Sequence, residues 1–347
     1  MARYEFESDN TAAICPEAWA SLAEANAGGA ASYGEDEGTR RVVERVRELF
    51  ETDCEVFLVF NGTAANSLAL AQMCLPHHAV ICHDHAHIQT DECGAPEFFS
   101  GGAKLLPVSG ANGKLDLANV EATFRRQSGV HSPKPRVISL TQSTELGTVY
   151  QIDEVEKIAE FARERSLLVH MDGARFANAA AALACAPKAI TWEAGVDSLC
   201  FGGTKNGTAA GELVVFFKKE LAREFEYRVK QSGQLASKMR FLAAPWIGLL
   251  EKNGWLENAE RANQRAKMLA QRLTAILGQE PVFPCEANAL FFRLPEKLVA
   301  AVQGRGWRFY KFIEPDVYRL MCSWSVTADD IDDFVRDVEA SCGAISP

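Results

Sequence analysis

Short apolar runs alternate with amphipathic helical stretches through the first part of the chain, and this alternation limits the fold more than any other feature. The runs fall at 56–60, 104–108, 136–141, 167–171, 198–201 and 212–217. Among the stretches between and before them, Val42, Val43, Val46, Leu49 and Phe50 recur at helical spacing, and an Ala-rich helix runs from Ala64 to about Cys74. Asp116 caps a helix with Leu117, Val120 and Phe124, and Asp153 caps one with Val155, Ile158, Ala159 and Phe161. Strands that are apolar on both sides need helices over both faces, so the pattern predicts an α/β fold with a mostly parallel sheet. Ligands of such sheets bind beyond the carboxyl ends of the strands. Asn61-Gly62-Thr63, Thr141-Gln-Ser-Thr144, Asp172 and Lys205 all stand at ends of that kind.

From Lys218 the character changes. Helical patterns occupy 219–232, 237–251 and 254–277, and the runs 288–294, 307–310 and 318–324 read as strands before a last helix starting near Thr327. The basic stretch 261–267 has Ala262, Met268, Leu269 and Leu273 on its other face, which makes it a solvated helix face rather than a binding patch. With 347 residues the chain is long enough for two domains. The expected division is a large domain over 1–240, N-terminal segment included, and a small α/β domain over 241–347. A net charge of −10 argues against a general nucleic-acid or anionic-membrane surface. No apolar stretch approaches the roughly 20 residues of a bilayer span, and the N-terminus lacks the apolar core of a signal peptide. The ten cysteines are scattered without a Cys-x-x-Cys pair, so the cytoplasm is the expected compartment.

Lys205 lies in Ser198-Leu-Cys-Phe-Gly-Gly-Thr-Lys-Asn-Gly-Thr208, where a strand ends in two glycines. A lysine held there among small residues can lose water and its proton and form a Schiff base. Upstream, Leu167-Leu-Val-His-Met-Asp172-Gly-Ala-Arg175 ends another strand with an acid and a base. The pair points to pyridoxal phosphate (PLP). That cofactor needs a lysine to hold it, a carboxylate at the ring nitrogen, a donor for the ring hydroxyl and an anion site. Lys205, Asp172, Arg175 and Gly62-Thr63 fill these places in turn. Strand, glycine turn and helix start form a phosphate-binding geometry, although a plain βα turn uses the same residues. Asp172 as a helix cap and Arg175 as a surface cation are the corresponding plain readings. The turn has neither a Walker pattern nor Gly-x-Gly-x-x-Gly. Ser8-Asp-Asn-Thr11 reads first as a cap, then as a turn or substrate contact, and 27–36 as a loop. Five of the seven histidines crowd into 77–87. If extended, His83, His85 and His87 share a face that can hold zinc. An imidazole flat on a cofactor ring, or a polar site wall, explains them as well, and metal is the minority reading.

Together these stretches resemble the low-specificity L-threonine aldolase family of the β-eliminating lyase group. The resemblance covers almost the whole chain. It is carried by Ser8-Asp-Asn, Tyr33-Gly34-Glu-Asp, Asn61-Gly-Thr-Ala-Ala-Asn66, Ala86-His87, His170-Met-Asp-Gly-Ala-Arg175, Thr204-Lys205 and Tyr318-Arg319-Leu. It implies the PLP-dependent aspartate-aminotransferase-like fold (fold type I), with a seven-stranded, mostly parallel sheet in the large domain. It also implies an aldehyde-lyase that cleaves threonine, allo-threonine or other β-hydroxy-α-amino acids, phenylserine types included, to glycine and an aldehyde. By the same resemblance Lys205 anchors PLP, Asp172 pairs with the ring nitrogen, and Arg175 lies near the ring oxygen or substrate carboxylate. His87 stacks on the ring, Gly62, Thr63 and Ala64 hold the phosphate, and Ser8 and Arg319 hold the substrate carboxylate. Tyr33 sits on a loop that helps complete a neighbouring subunit's site, which implies a homodimer or homotetramer. No metal is implied.

The chain departs from the family in two places. Where relatives have Asn-Thr-His-Asn-Gly it has Gln142-Ser-Thr-Glu145-Leu-Gly147, so Glu145 replaces a second histidine. His85, His87, Glu145 and an ordered water are the candidate bases for the substrate hydroxyl. Lys238-Met-Arg240 matches a family Met-Arg-Gln stretch in part, as a phosphate or carboxylate contact from a second subunit. The rival readings are another PLP reaction (β-elimination, racemisation or transamination), a zinc hydrolase on His83, His85 and His87, and a non-catalytic PLP-fold interaction protein, against which the intact Lys205 and Asp172 argue.

Overall fold

The computed structural model describes residues 2–345. Strands β1 (Glu55–Val59), β2 (His78–His83), β3 (Lys104–Val108), β4 (Lys134–Thr141), β5 (Leu168–Gly173), β6 (Ser198–Phe201) and β7 (Glu212–Phe216) form one sheet. Its order is β1-β7-β6-β5-β4-β2-β3. The pairs from β6 to β3 are parallel, and β7 alone runs against its neighbours. This is the mostly parallel, seven-stranded sheet that was expected. Every residue of β5, β6 and β7 is buried, which is why these strands read as mainly apolar runs rather than alternating ones.

Each face of the sheet has its own cover. On one side Val42, Val46 and Phe50 of the helix Glu37–Phe50, and Val155 and Ile158 of the helix Ile152–Glu164, pack with Ile138, Met171, Leu199 and Leu213. On the other, the helix Gly62–Met73 sets Ala65, Leu68 and Ala69 against Val59, Cys200 and Val214. That helix is buried nearly throughout, and its many alanines let it lie close to the strands. Buried Leu, Val and Phe side chains of this kind contribute about 1.5–3 kcal/mol each.

Two sequence expectations shift by local packing. The Ile152–Glu164 helix begins before Asp153, with the Glu154 carboxylate accepting the Gln151 N–H at 2.7 Å. β2 ends at His83, Asp84–Ala86 turn, and His87 opens the short helix His87–Thr90, so the three histidines do not share one strand face.

A second, antiparallel sheet contains β8 (Ala289–Arg293), β9 (Tyr310–Ile313) and β10 (Val317–Met321) in the order β8-β10-β9. The strand expected at 307–310 starts only at Tyr310, because Trp307 turns its ring into the core, 5.5 Å from Phe6 and 4.9 Å from Phe334. The run expected over 318–324 ends at Met321. Thr327 and Asp330 cap the last helix, Ala328–Ile345, as expected. Phe6 thus belongs to the core of the small sheet, whereas Ala243, Trp246 and Leu249, beyond the expected 240/241 boundary, belong to the large one. The helix Gly254–Leu277 gives Trp255 and Ala259 to the large core and Ala266, Leu269 and Leu273 to the small one. We propose that the change between units lies inside this helix.

Candidate active site

β5 and β6 end side by side, with Asp172 opposite Cys200 and Gly173 opposite Phe201. The chain leaves β6 through Gly202 and Gly203. A Cβ at Gly202 would lie 2.3 Å from the Ala174 carbonyl oxygen, and one at Gly203 2.6 Å from the Trp246 ring. No side chain fits at either position. The next residues form a single 3-10 turn, Thr204–Asn206, closed by Gly207 at φ 117. Buried Glu212 ties the turn down, its Oε2 accepting the Gly203 N–H at 2.5 Å, and burial raises the pKa of that carboxyl. The result is a half-buried Lys205 whose ammonium makes no hydrogen bond or ion pair among the described residues.

A cavity of about 200 Å³ opens in front of this lysine, walled by Asn61, Gly62, Thr63, His87, Asp172 and Glu212 among others. Asp172 is buried; its Oδ1 accepts the Ala174 N–H and its Oδ2 the Asn66 Nδ2, both at 3.0 Å. Each oxygen keeps a lone pair for a further donor. At the head of the Gly62–Met73 helix, the Ala64 N–H is taken by Asn61 Oδ1 at 2.9 Å. Ala64 is therefore not a free phosphate donor as expected. The N–H groups of Gly62 and Thr63 stay open among the described residues, at the positive end of a 12-residue helix.

His87 reaches the same cavity and Nδ1 lies 2.9 Å from Glu92 Oε1; that hydrogen bond raises the imidazole pKa above its ordinary value. His85 does not line the cavity. Its N–H donates to His83 Nδ1 at 3.0 Å, its ring stacks on the His83 ring at 5.7 Å, and His83 Nε2 is 3.0 Å from the Gly110 carbonyl. Among the described residues no three His, Cys, Asp or Glu side chains are grouped to hold a metal. Glu145 is buried away from the wall, with Oε1 3.7 Å from Arg175 Nη1 and no hydrogen bond on that oxygen.

Arg175 is neither a surface cation nor an open donor. Its Nε and Nη2 donate to the two oxygens of Asp9 at 2.7 and 3.0 Å, and Nη2 also touches Met321 Sδ at 3.1 Å. Burial alone would raise the Asp9 carboxyl, but Arg175 and Lys205 outweigh it and bring it to about 2. Ser8 caps the turn that presents Asp9, its Oγ accepting the Asn10 N–H at 3.2 Å, so the cap reading describes it.

Arg319 and Met321 share one face of β10, the face that meets Arg175. Arg319 is buried, donates to the Tyr310 hydroxyl and lies 4.9 Å from the ring centres of Tyr310 and Phe312, yet its Nε has no partner. Tyr33 is not on the cavity wall. It is 47% exposed, under Lys230 Nζ at 4.6 Å, and borders a separate groove with Met239. Arg240 reaches the Gly28 carbonyl at 3.4 Å, and Lys238 is exposed.

Four polar residues of the site were missed by sequence reasoning: Asp9, Asn66, Glu92 and Glu212. Asn66 left a signal, as an amide in a mostly apolar, Ala-rich helix, and Glu212 as the charged head of an apolar strand. Glu92 left none.

The residues fit PLP. An unpaired lysine, a buried carboxylate and two open N–H groups at a helix N-terminus surround one small cavity. The chain matches the beta-eliminating lyase family over residues 5–294. It is 53% identical over 340 residues, 98% of both chains, to a low specificity L-threonine aldolase of Pseudomonas aeruginosa. To the protein of that name from another Pseudomonas strain it is 51% identical over 340 residues, again 98% of both. A solved threonine aldolase from Leishmania major superimposes with a TM-score of 0.91 at 27% identity, over 99% of this chain and 100% of that one.

Proposed function

The chain belongs to the low-specificity L-threonine aldolase family of the β-eliminating lyases, and from that premise we infer that it is an aldehyde-lyase acting on β-hydroxy-α-amino acids. Threonine or allo-threonine gives glycine and acetaldehyde, and a phenylserine gives benzaldehyde. The Cα–Cβ bond breaks, the β-hydroxyl gives up its proton to become the aldehyde carbonyl, and Cα takes up a proton. The observation that carries the reading is the unpaired Lys205 facing Asp172, His87 and the open Gly62-Thr63 amides across one cavity.

PLP bound there would supply an aldehyde carbon for Lys205 to hold and a protonated ring to take up the electron pair left on Cα when the Cα–Cβ bond breaks. Asp172 would hold the proton on that ring, and the helix N-terminus at Gly62-Thr63 would hold the phosphate. Arg319, with an open Nε between two aromatic rings, receives the substrate carboxylate by the fork that suits guanidinium. Arg175 is held by Asp9 through Nε and Nη2, with Glu145 3.7 Å from Nη1, and supports the site from behind rather than as a second free fork. Of His85, His87 and Glu145, His87 lies on the cavity wall with Nδ1 engaged, so its Nε2 takes the hydroxyl proton.

The same reading makes the protein a homo-oligomer, a dimer or tetramer, with Tyr33 and its loop serving a neighbouring subunit's cavity. Among the described residues no helix is long and apolar enough to cross a membrane, and the buried thiols of Cys15, Cys54, Cys74, Cys82, Cys200 and Cys322 suit a reducing cytoplasm. Incubation of the PLP-loaded protein with L-threonine tests the reading. Glycine and acetaldehyde in equal amounts are expected, whereas a 2-oxo acid with ammonia, or a racemised substrate, places the chemistry in another PLP class.

A further inference from the structure

Glu92 is 2% exposed and lies behind the cavity rather than on it. Its Oε1 accepts from Asn66 Nδ2 at 2.8 Å and lies 2.9 Å from His87 Nδ1. The same Asn66 nitrogen donates to Asp172 Oδ2 at 3.0 Å. Two buried carboxylates therefore share one amide, and one of them holds an imidazole. Glu92 Oε2 has no partner. An isolated carboxylate in such a place would be costly beside a second one. The imidazole is the group that compensates it.

We propose that Glu92 is a positioning residue: it fixes the ring of His87 through Nδ1 and, through the forked Asn66 amide, links that ring to the Asp172 carboxylate. An ionised carboxylate only accepts, so the contact makes Nδ1 the donor and leaves Nε2 as the nitrogen available to a substrate. What His87 then does to a substrate rests on the function inferred above; the hold of Glu92 on the ring does not. The charges that face His87 are Glu92, Asp172 and Glu145, which favour its protonation, and Lys205, which opposes it. Burial, with Asp172 adding to it, raises the Glu92 carboxyl above its ordinary value against the pull of His87 and Asn66, and it is the imidazole proton that holds the charge there. Neutralising Glu92 takes the charge out of the hydrogen bond that contributes most to holding a proton on His87.

Ring ¹⁵N NMR of the full-length, cofactor-free protein tests this, with His87→Asn to assign the signal. The wild-type neutral ring carries its proton on Nδ1 and titrates above 6.5. In Glu92→Gln the midpoint falls by about one pH unit. In the PLP-loaded enzyme the same variant loses roughly tenfold or more in kcat, with KM for threonine within about twofold, and the acid limb of kcat moves down with the ring. Glu92→Asp, which keeps the charge, restores part of the midpoint. A wild-type ring protonated on Nε2, or a Glu92→Gln ring that titrates like wild type, overturns the proposal; the first readout needs no variant to fold. A wild-type protein that fails to cleave threonine but shows the predicted ring keeps the positioning role and removes the inferred reaction.

Discussion

Arg175 and Arg319 are buried to the same degree, 5% and 6% exposed, and lie on facing parts of the molecule, yet the fold treats their charges in opposite ways. Arg175 is answered from within. Asp9 takes two of its N–H groups, and Asn288 donates to the same carboxylate at 3.0 Å. Arg319 has two aromatic rings and a tyrosine hydroxyl, no carboxylate within ion-pair distance among the described residues, and an empty Nε. A buried cation without a counter-ion is expensive, so a fold that keeps one gains when an anion arrives with the ligand. Burial and residue type are equal here; pairing separates the arginine that serves the scaffold from the one proposed to receive the substrate carboxylate.

The contrast can be broken at either end. The largest effect is expected for Asp9→Ala, which leaves the Arg175 charge buried and unanswered. Urea unfolding should show a loss of about 3–5 kcal/mol, and an unchanged midpoint would make Arg175 as open as Arg319. Arg319→Ala comes next. It should cost about 2–4 kcal/mol in kcat/KM, a drop of roughly 30- to 1000-fold, with stability unchanged or increased. Arg319→Lys should recover only part of it, because an ammonium lacks the planar fork. A stability loss as large as that of Asp9→Ala would mean that Arg319 is scaffold too.

The smallest effect is a pH dependence. A carboxyl that goes from 3.8 to about 2 on folding adds about 2 kcal/mol of stability above pH ~4. That contribution disappears as the pH falls from about 4 to about 2. Acid unfolding of Asp9→Asn should lack this portion, while that of Arg319→Ala should keep it.

Much of this contrast was out of reach of the sequence. Arg319 was placed by its motif, but nothing adjacent to it says that its Nε is free; that depends on Tyr310 and Phe312, which come from another strand. Arg175 looked like a ligand donor because its partner, Asp9, lies 166 positions away. The strand ends that carry Lys205 and Asp172 were legible because mainly apolar runs followed by glycine or acid report a parallel sheet directly. The histidine cluster was ambiguous for the opposite reason. Residues 83–87 turn from strand to helix, and no periodicity predicts where a turn will fall within so short a stretch. Glu92 acts through partners at positions 66 and 87 and belongs to no regular element, so its role exists only in three dimensions.

The proposed site depends first on Lys205 as the anchor of the cofactor. Borohydride reduction of the PLP-loaded protein, followed by peptide mass spectrometry, tests it most directly. One cofactor-sized increment per chain is expected, on the peptide containing Lys205, and none in Lys205→Ala, which also loses the visible absorption. An increment on another lysine, or an undiminished visible band in Lys205→Ala, would contradict it.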